Sequence, residues 1–326
     1  MKEYFEKSLS NESQIENVED VRSLSYYIPN RVIRLLASKE CSVFDHKIEN
    51  LEGFVVYLDI MGFTKIVIGN LNKNNDITTV SNTLSEFYSV LIEIVQGYGG
   101  SVFQFAGDSI LISFDKHNGE STINNFKRTL CAATAMLDIS DNFNSLHDED
   151  FNLRPKVGIG YGKFYQYFMG SQKSFITAIL TGTAVHDAIS CESQCKKQEI
   201  IVSEPVYQFA KELGIENSFE NIDGFYHITQ KIDTNSFEVN IPDFVSIDEM
   251  NENPMFAERV CAFIDPVIMQ NAKSRIQGFS GDYKEITCLM AHFDITEKIN
   301  DDPETVKAFF EQINGINTIM QSKSQR

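Results

Sequence analysis

The chain has 326 residues, of which 28 are Lys or Arg and 46 are Asp or Glu, so its formal net charge at pH 7 is −18. This acidic balance argues against a nucleic-acid-binding protein, which needs a basic surface, and against docking on anionic lipid. A hydrophobic content of 42% excludes a wholly disordered chain. At about 150 residues per domain, the length predicts about two domains.

The cysteines and the N-terminal residues point to the cytoplasm. The six cysteines are sparse and share no disulfide-framework spacing, which favours reduced thiols. Cys191 and Cys195 lie four residues apart, but no cluster of other ligands accompanies them, so a metal role is not favoured. The first twenty residues are charged and lack the apolar segment of a signal peptide, and no uncharged apolar run reaches 18 residues. We therefore expect a cytoplasmic protein without a membrane span.

The first half of the chain alternates between helical and extended patterns. Residues 23–37 predict a short helix, and the apolar run FVVYLDI from Phe54 predicts a buried strand. Apolar residues at helical spacing over 77–98 predict a helix that ends at the Gly99-Gly100 pair. Two alternating runs at 101–105 and 109–114 flank a short turn and predict a hairpin.

The following segment supplies the remaining elements of one domain. In chain order we expect a helix at 122–140, strands at 154–162, 164–169 and 174–180, a helix at 183–195 and a strand at 199–203. The order β-α-β-β-α-β with later additions predicts an α+β, ferredoxin-like fold, in which helices pack on one face of an antiparallel sheet.

Four regions are predicted along the chain. Residues 1–45 form an N-terminal extension with a short packing helix, and residues 46–250 form the main domain. Residues 251–281 are a helical linker. A strand at 286–295 and a helix at 303–322 echo 54–98, so 282–326 is predicted to begin a second, incomplete domain of the same type.

Two carboxylates are the strongest candidates for chemistry. Asp59 ends the first strand and Asp108 lies in the hairpin turn, so both are expected at one edge of the sheet. Two neighbouring carboxylates repel and need a cation between them, and oxygen ligands suit two Mg²⁺ or Mn²⁺ ions that also bind substrate phosphates. Gly62, Phe63 and Thr64 would open a helix whose N–H groups bind phosphate. Taken singly, each Asp is more often a cap or turn residue.

Three sequence blocks resemble class III nucleotide cyclases. They are FVVYLDIMGFTKI, GGSVFQFAGDSILISF and PKVGIGYGKFYQYFMG. The chain is most similar to the first catalytic domain, and the start of the second, of the soluble, bicarbonate-responsive adenylyl cyclases. The resemblance implies a cyclase-homology domain whose metal ligands are Asp59 and Asp108, with Ile60, Met61, Gly62, Phe63 and Thr64 around the triphosphate. In that family the ribose 3′-oxygen of ATP attacks the α-phosphate and pyrophosphate leaves.

Two departures from the family pattern lie in the helix at 183–195. Homodimeric members carry an Asn and an Arg in a V-N-x-A-x-R motif, and here these positions are His186 and Ser190. A homodimer of this domain should therefore be inactive, and the isolated chain should have little or no activity. In the predicted second domain, the position of the first aspartate is His292. The competent partner is expected to be a second cyclase-homology domain from the rest of the chain or from another subunit.

The bicarbonate site that the resemblance implies also differs. Its Lys falls at Gln104 and its Arg at Ile189, and neither side chain can offer a positive charge to an anion. Arg154 or Lys156 could reach the same pocket from another direction. We expect no bicarbonate stimulation through this domain.

Two functions remain open on the sequence alone. The first is one half of an adenylate cyclase that makes cyclic AMP from ATP with two divalent ions, in intracellular signalling. The alternative is a catalytically silent cyclase-homology module with a structural or regulatory role. ATP cannot be told from GTP, because the groups that read the base lie in the partner domain.

Overall fold

The structure is a computed structural model, and it describes most of the chain between residues 24 and 265. The described residues are 24–25, 27–38, 41, 48–63, 65–66, 69, 77–117, 119–146, 152–170, 175–242, 245, 250, 253–265, 269 and 308. The chain divides into two compact units: 1–49, 166–179 and 244–326 form the first, and 50–165 and 180–243 form the second. The predicted domain boundaries stay a prediction.

The described residues form six α-helices, eight strands and two short 3-10 helices at Glu216–Ser218 and Thr234–Ser236. The helices are α1 (Asn30–Ala37), α2 (Ile77–Gly97), α3 (Thr122–Leu146), α4 (Thr183–Gln194), α5 (Glu204–Glu212) and α6 (Phe256–Ala262). The strands are β1 (Ile48–Met61), β2 (Ser101–Ala106), β3 (Ser109–Asp115), β4 (Arg154–Gly170), β5 (Ile176–Thr181), β6 (Ile200–Val202), β7 (Phe219–Ile222) and β8 (Phe225–Ile228). None of these helices is long and apolar enough to cross a bilayer.

The strands form one mixed sheet that confirms the predicted fold class. Their order is β2-β3-β1-β4-β6-β8-β7, with β5 paired to β4 outside this path. The pairs β1–β3, β2–β3, β6–β8 and β7–β8 are antiparallel, whereas β4 and β6 are parallel. The first four strands in this order, together with α2 and α3, are the ferredoxin-like βαββαβ arrangement that the sequence predicted.

The sheet of the second unit is covered on both faces. Phe54, Val56 and Leu58 of β1 face a large apolar core that also contains side chains of α2, α3 and α5. Val55, between them in sequence, faces the opposite side, where a smaller core contains side chains of α4. The expectation of helices on one face therefore holds for the βαββαβ part and is wrong for the later helix α4.

Helix α4 lies directly on the backbone of β4. A Cβ added at Gly158 would come within 2.0 Å of the carbonyl oxygen of Ala188, and one added at Gly160 would come within 2.2 Å of that of Ala184. Only glycine leaves room for so close an approach. The sequence K-V-G-I-G thus places two apolar side chains on one face of the strand and a helix backbone on the other.

In the first unit, two side chains bind the C-terminal end of α1: Asn253, three residues before α6, and Arg259, within α6. The side-chain amide of Asn253 donates to the carbonyl oxygens of Ala37 at 3.0 Å and of Leu36 at 3.3 Å. The Arg259 guanidinium donates to the carbonyl oxygens of Ser38 at 2.7 Å and of Leu36 at 2.9 Å. These donors satisfy carbonyls that a helix end leaves without an intrahelical partner.

Several sequence predictions need correction. The strands expected at 154–162 and 164–169 are one continuous strand, β4. Helix α5 was not predicted from the sequence, although Ser203, Glu204 and Pro205 form a typical helix start. The elements expected at 286–295 and 303–322 lie outside the described residues, apart from residue 308.

Candidate active site

The two candidate carboxylates lie at adjacent points of the sheet. Asp59 is near the end of β1, and Asp108 occupies the turn between β2 and β3. The β1–β3 register pairs Leu58 with Ile110, which brings Asp59 beside the start of β3. There the Ser109 hydroxyl donates to Asp59 Oδ1 at 2.9 Å.

The pKa of the Asp108 carboxyl is raised above its usual value, in part by Asp59. Burial raises its pKa, and the charge of Asp59 and a hydrogen bond between the two side chains raise it further, against the lowering effects of a backbone hydrogen bond and of Lys156. The structure therefore places the two acidic side chains close enough to interact. Their role as metal ligands stays a prediction.

Lys156 supplies a positive charge to this cluster from β4. Its Nζ lies 2.9 Å from Asp59 Oδ2 and 2.6 Å from Glu192 Oε1 on α4. Burial alone would lower the pKa of the ammonium, but the contacts with Glu192 and Asp59 outweigh it and raise the pKa above its usual value. Lys156 is therefore a permanent cation shared by two carboxylates.

Tyr88 of α2 closes another side of the cluster. Its hydroxyl donates to the backbone carbonyl oxygen of Asp108 at 3.3 Å, and its ring packs edge-on against Phe105 at 5.7 Å. Burial raises the pKa of the phenol well above its usual value, and the charges of Asp108 and Asp59 add to this. The phenol stays neutral and fixes the backbone of the turn.

The turn after β1 contains the residues of the predicted phosphate loop, whose binding role stays a prediction. Ile60 is buried, Met61 and Phe63 are half-buried, and Gly62 is exposed with a φ of 76°. The N–H of Ile66 donates to the carbonyl oxygen of Gly62 at 3.0 Å, so a helical turn begins at this point, as predicted. Thr64 lies outside the described residues.

The donor set fits a divalent ion that is completed by other ligands. Among the described residues no group of three or more His, Cys, Asp or Glu side chains could hold a metal ion. Asp59 and Asp108 offer carboxylate oxygens close to one another, which suits Mg²⁺ or Mn²⁺ when water and phosphate oxygens complete the shell. Lys156 already neutralises part of this charge, so an incoming ion would share Asp59 with it.

The four departures from the family pattern lie on α4 and β2. His186 is 74% exposed, and its ring is 3.9 Å from the carboxylate of Asp187. Ser190 is half-buried, and its carbonyl oxygen accepts a hydrogen bond from Ser193. Ile189 on α4 and Gln104 on β2 are both exposed. Arg154, one of the two alternative cations, donates to Asn152, and Lys156, the other, contacts Asp59 and Glu192.

The sequence matches a known family over the region that contains this site. The model of the adenylate and guanylate cyclase catalytic domain matches residues 49–231, which is more than half of the chain. The chain therefore belongs to this family. A sequence comparison with curated proteins finds no match.

Solved cyclase structures resemble the chain at low identity. The adenylyl cyclase CyaB from P. aeruginosa is 17% identical, with 58% of this chain and 99% of that chain covered and a TM-score of 0.48. A bacterial light-regulated adenylyl cyclase is 20% identical, with 63% and 56% covered and a TM-score of 0.49. A guanylyl cyclase is 15% identical, with 60% and 100% covered and a TM-score of 0.45. Identities this low do not indicate which nucleotide this chain binds.

The positions of Lys156 and Glu192 near Asp59 were not predicted from the sequence. A signal for Lys156 was present, because a lysine inside the buried pattern of a central strand needs a counter-ion. Glu192 lies four residues after Ala188, on the helix face that contacts Gly158. Once α4 is known to pack on β4, its carboxylate is expected near the lysine.

Proposed function

We propose that the chain is one catalytic half of an adenylate cyclase, which converts ATP to cyclic AMP and pyrophosphate when it is paired with a second cyclase domain. The placement of Asp59 and Asp108 at one point of the sheet, beside the turn after β1, is the observation that carries this proposal. Two acidic side chains at one edge of a sheet can hold divalent cations, and such cations stabilise the negative charge of reacting phosphate groups. The choice of ATP rests on the sequence resemblance.

Each residue of the proposed site has a separate task. Asp59 and Asp108 would hold the divalent ions, which neutralise the triphosphate and favour ionisation of the ribose 3′-hydroxyl. Ser109 holds one oxygen of Asp59, whereas the other oxygen contacts Lys156 and would bind the ion. The backbone from Ile60 to Phe63, continuing to Thr64, would receive the phosphate oxygens. Tyr88 holds the turn that carries Asp108.

The second catalytic half must come from another domain. The family resemblance assigns ribose and transition-state contacts to an Asn and an Arg, and this chain has His186 and Ser190 there. A transition-state cation in phosphoryl transfer can contribute ~10³-fold or more in rate. We place the reaction in the cytoplasm, on the sequence grounds given above, and expect it not to respond to bicarbonate through Gln104 or Ile189.

A second candidate is a silent cyclase-homology module. The side chains of α4 favour it, because His186 is largely exposed and Ser190 carries no charge. Such a module would keep the fold and the pairing surface, and would regulate a partner without turning over nucleotide.

A complementation assay separates the two functions. The chain is mixed with a cyclase domain that keeps its own Asn and Arg but whose two metal-binding aspartates are replaced by Asn. Cyclic AMP made from ATP and cyclic GMP made from GTP are then measured with Mg²⁺ or Mn²⁺. We expect cyclic AMP from the mixture, loss with Asp59→Asn or Asp108→Asn, and no loss with the control Asp138→Asn, a carboxylate on the exposed side of α3.

Two results would count against the proposal. A mixture that forms a stable pair and yields no cyclic nucleotide would favour the silent module. Product from the purified chain alone, at a rate typical of a working enzyme, would show that the chain supplies its own transition-state cation.

A further inference from the structure

Lys156 holds the position that a divalent ion at Asp59 would need. Its ammonium lies between two carboxylates, 2.9 Å from Asp59 and 2.6 Å from Glu192. All three side chains are mostly buried, with exposed fractions of 18% for Lys156, 20% for Asp59 and 10% for Glu192. A single ammonium therefore compensates two partly desolvated negative charges.

We propose that Lys156 is the resident counter-ion of Asp59, which a divalent ion displaces, and that Glu192 is the acceptor that keeps the displaced ammonium. The inference rests on the proposed function, because it assumes a metal ion at Asp59. It makes Glu192 a positioning residue that sets how tightly the site binds metal, although it does not contact the metal itself.

The surroundings of the three side chains support such an exchange. Asp59 keeps its hydrogen bond from Ser109 when the ammonium leaves, so one carboxylate oxygen stays oriented. Glu192 stays in place because α4 is seated on the glycines of β4. The shorter of the two contacts of Lys156 is already the one to Glu192. A small movement of the ammonium away from Asp59 therefore leaves it paired.

The same geometry allows an opposite reading, in which Lys156 orients Asp59 for the metal. The two readings predict changes of opposite sign when the ammonium is removed. If Lys156 competes with the ion, its removal strengthens metal binding, because a positive charge next to the ligand is lost. If Lys156 orients the ligand, its removal weakens binding.

The test measures binding of Mn²⁺ alone to the full chain, by the electron paramagnetic resonance signal of free Mn²⁺ and by calorimetry, without nucleotide or turnover. We expect Lys156→Met to tighten Mn²⁺ binding about three- to tenfold, as removal of one unit charge a few ångströms away implies at a partly solvated site. We expect Glu192→Gln to weaken it about threefold, because Lys156 then depends on Asp59 alone. The matched control is Lys231→Met, which removes the same charge from an exposed pair with Asp138.

A double variant guards against a folding defect. Lys156→Met leaves Glu192 unpaired, whereas Lys156→Met with Glu192→Gln removes both charges and should also bind Mn²⁺ more tightly than the wild type. Unchanged or weaker binding in both lysine variants would overturn the inference while metal binding still depends on Asp59. Equal binding by the wild type and by Asp59→Asn would overturn both the inference and the metal-dependent function.

Discussion

Two cations in the second unit, the fully buried Arg128 and the half-buried Lys156, show how differently one positive charge can be used. Arg128 on α3 is fully buried and forms a bidentate ion pair with Glu120, with contacts of 2.7 and 3.0 Å. It also donates to the carbonyl oxygens of Tyr98, Gly99 and Asp115. Lys156 has two carboxylates around one ammonium and no comparable set of backbone contacts among the hydrogen bonds described for it.

The difference separates a structural cation from an exchangeable one. The guanidinium has five N–H donors in a fixed plane, and here it binds the end of α2, the end of β3 and the loop before α3 at once. An ammonium is a compact charge that can pivot between acceptors. The first arrangement holds elements together, whereas the second leaves a charge that an incoming ion can replace.

The largest effect is expected when the structural cation is replaced. Arg128→Lys keeps the charge but cannot reach all five acceptor contacts, and it leaves buried carbonyls without donors. We expect a loss of about 3–5 kcal/mol in the free energy of unfolding, measured by urea denaturation. Arg154→Lys is the control, because that exposed side chain donates to Asn152 alone among its described contacts. A loss below about 1 kcal/mol for Arg128→Lys would remove the basis of the comparison.

The next effect concerns the packing of α4 on β4. In Gly158→Ala the new Cβ would meet the backbone of Ala188 and Glu192, so the helix must move away from β4. We expect a loss of about 1–3 kcal/mol in stability, as for other overpacked sites, with Mn²⁺ binding altered because Glu192 moves. Gly97→Ala is the matched control, since nothing lies within 4 Å of its Cβ position. Equal stability of the two variants would show that α4 is not held by this contact.

A smaller loss of stability is expected at Lys156. Lys156→Met removes two ion pairs that are partly open to solvent, and we expect it to cost about 1–2 kcal/mol. Urea denaturation of this variant beside Arg128→Lys ranks the two cations directly. If Lys156→Met is the more destabilising, Lys156 is the structural cation of the two.

The smallest effect is a pH-dependent one at a third pair. Burial alone would raise the pKa of Glu199, but the backbone N–H of Lys196 and the ring of His227, 3.1 Å away, outweigh it and hold the pKa below its usual value. A carboxylate whose pKa is lowered by folding adds stability above its unfolded pKa and loses that stability as the pH falls through the folded value. Glu199→Gln should therefore cost about 1 kcal/mol at pH 7, the usual net contribution of one hydrogen bond, and this difference from the wild type should disappear toward pH 3.

Unfolding at several pH values checks this prediction. The control is Glu212→Gln, an exposed glutamate at the end of α5 whose side chain has no hydrogen bond or ion pair among those described. A difference between Glu199→Gln and the wild type that stays constant from pH 3 to pH 7 would show that ionisation of Glu199 does not contribute.

The βαββαβ core could be predicted because its signals are local. The apolar run that ends at Asp59, the helical spacing over 77–98 and the turn at Asp108 each specify one element, and the chain order leaves few ways to join them. The same order predicted that the two carboxylates would meet. The packing of α4 on β4 could not be predicted in this way. It depends on a contact between Gly158 and Ala188, which lie far apart in sequence, and no periodicity indicates that contact.

The charges around Asp59 illustrate the same limit. Lys156 and Glu192 lie 36 positions apart in sequence, and their contact follows only from the packing of α4 on β4. A continuous β4 was missed for a related reason, because Gly160 and Gly162 resemble a strand end in a sequence whose tertiary packing is not known.

The hydrogen bonds from Asn253 and Arg259 to the end of α1 have a consequence for folding during synthesis. The carbonyl oxygen of Ser38 accepts its shorter hydrogen bond from Arg259, 221 positions later in the chain. At roughly 5–20 residues per second on the ribosome, the end of α1 waits on the order of ten to forty seconds for Asn253 and Arg259 to emerge. The first unit can therefore be completed only after the chain of the second unit has been made. A nascent chain arrested before Asn253 should leave the α1 segment open to protease.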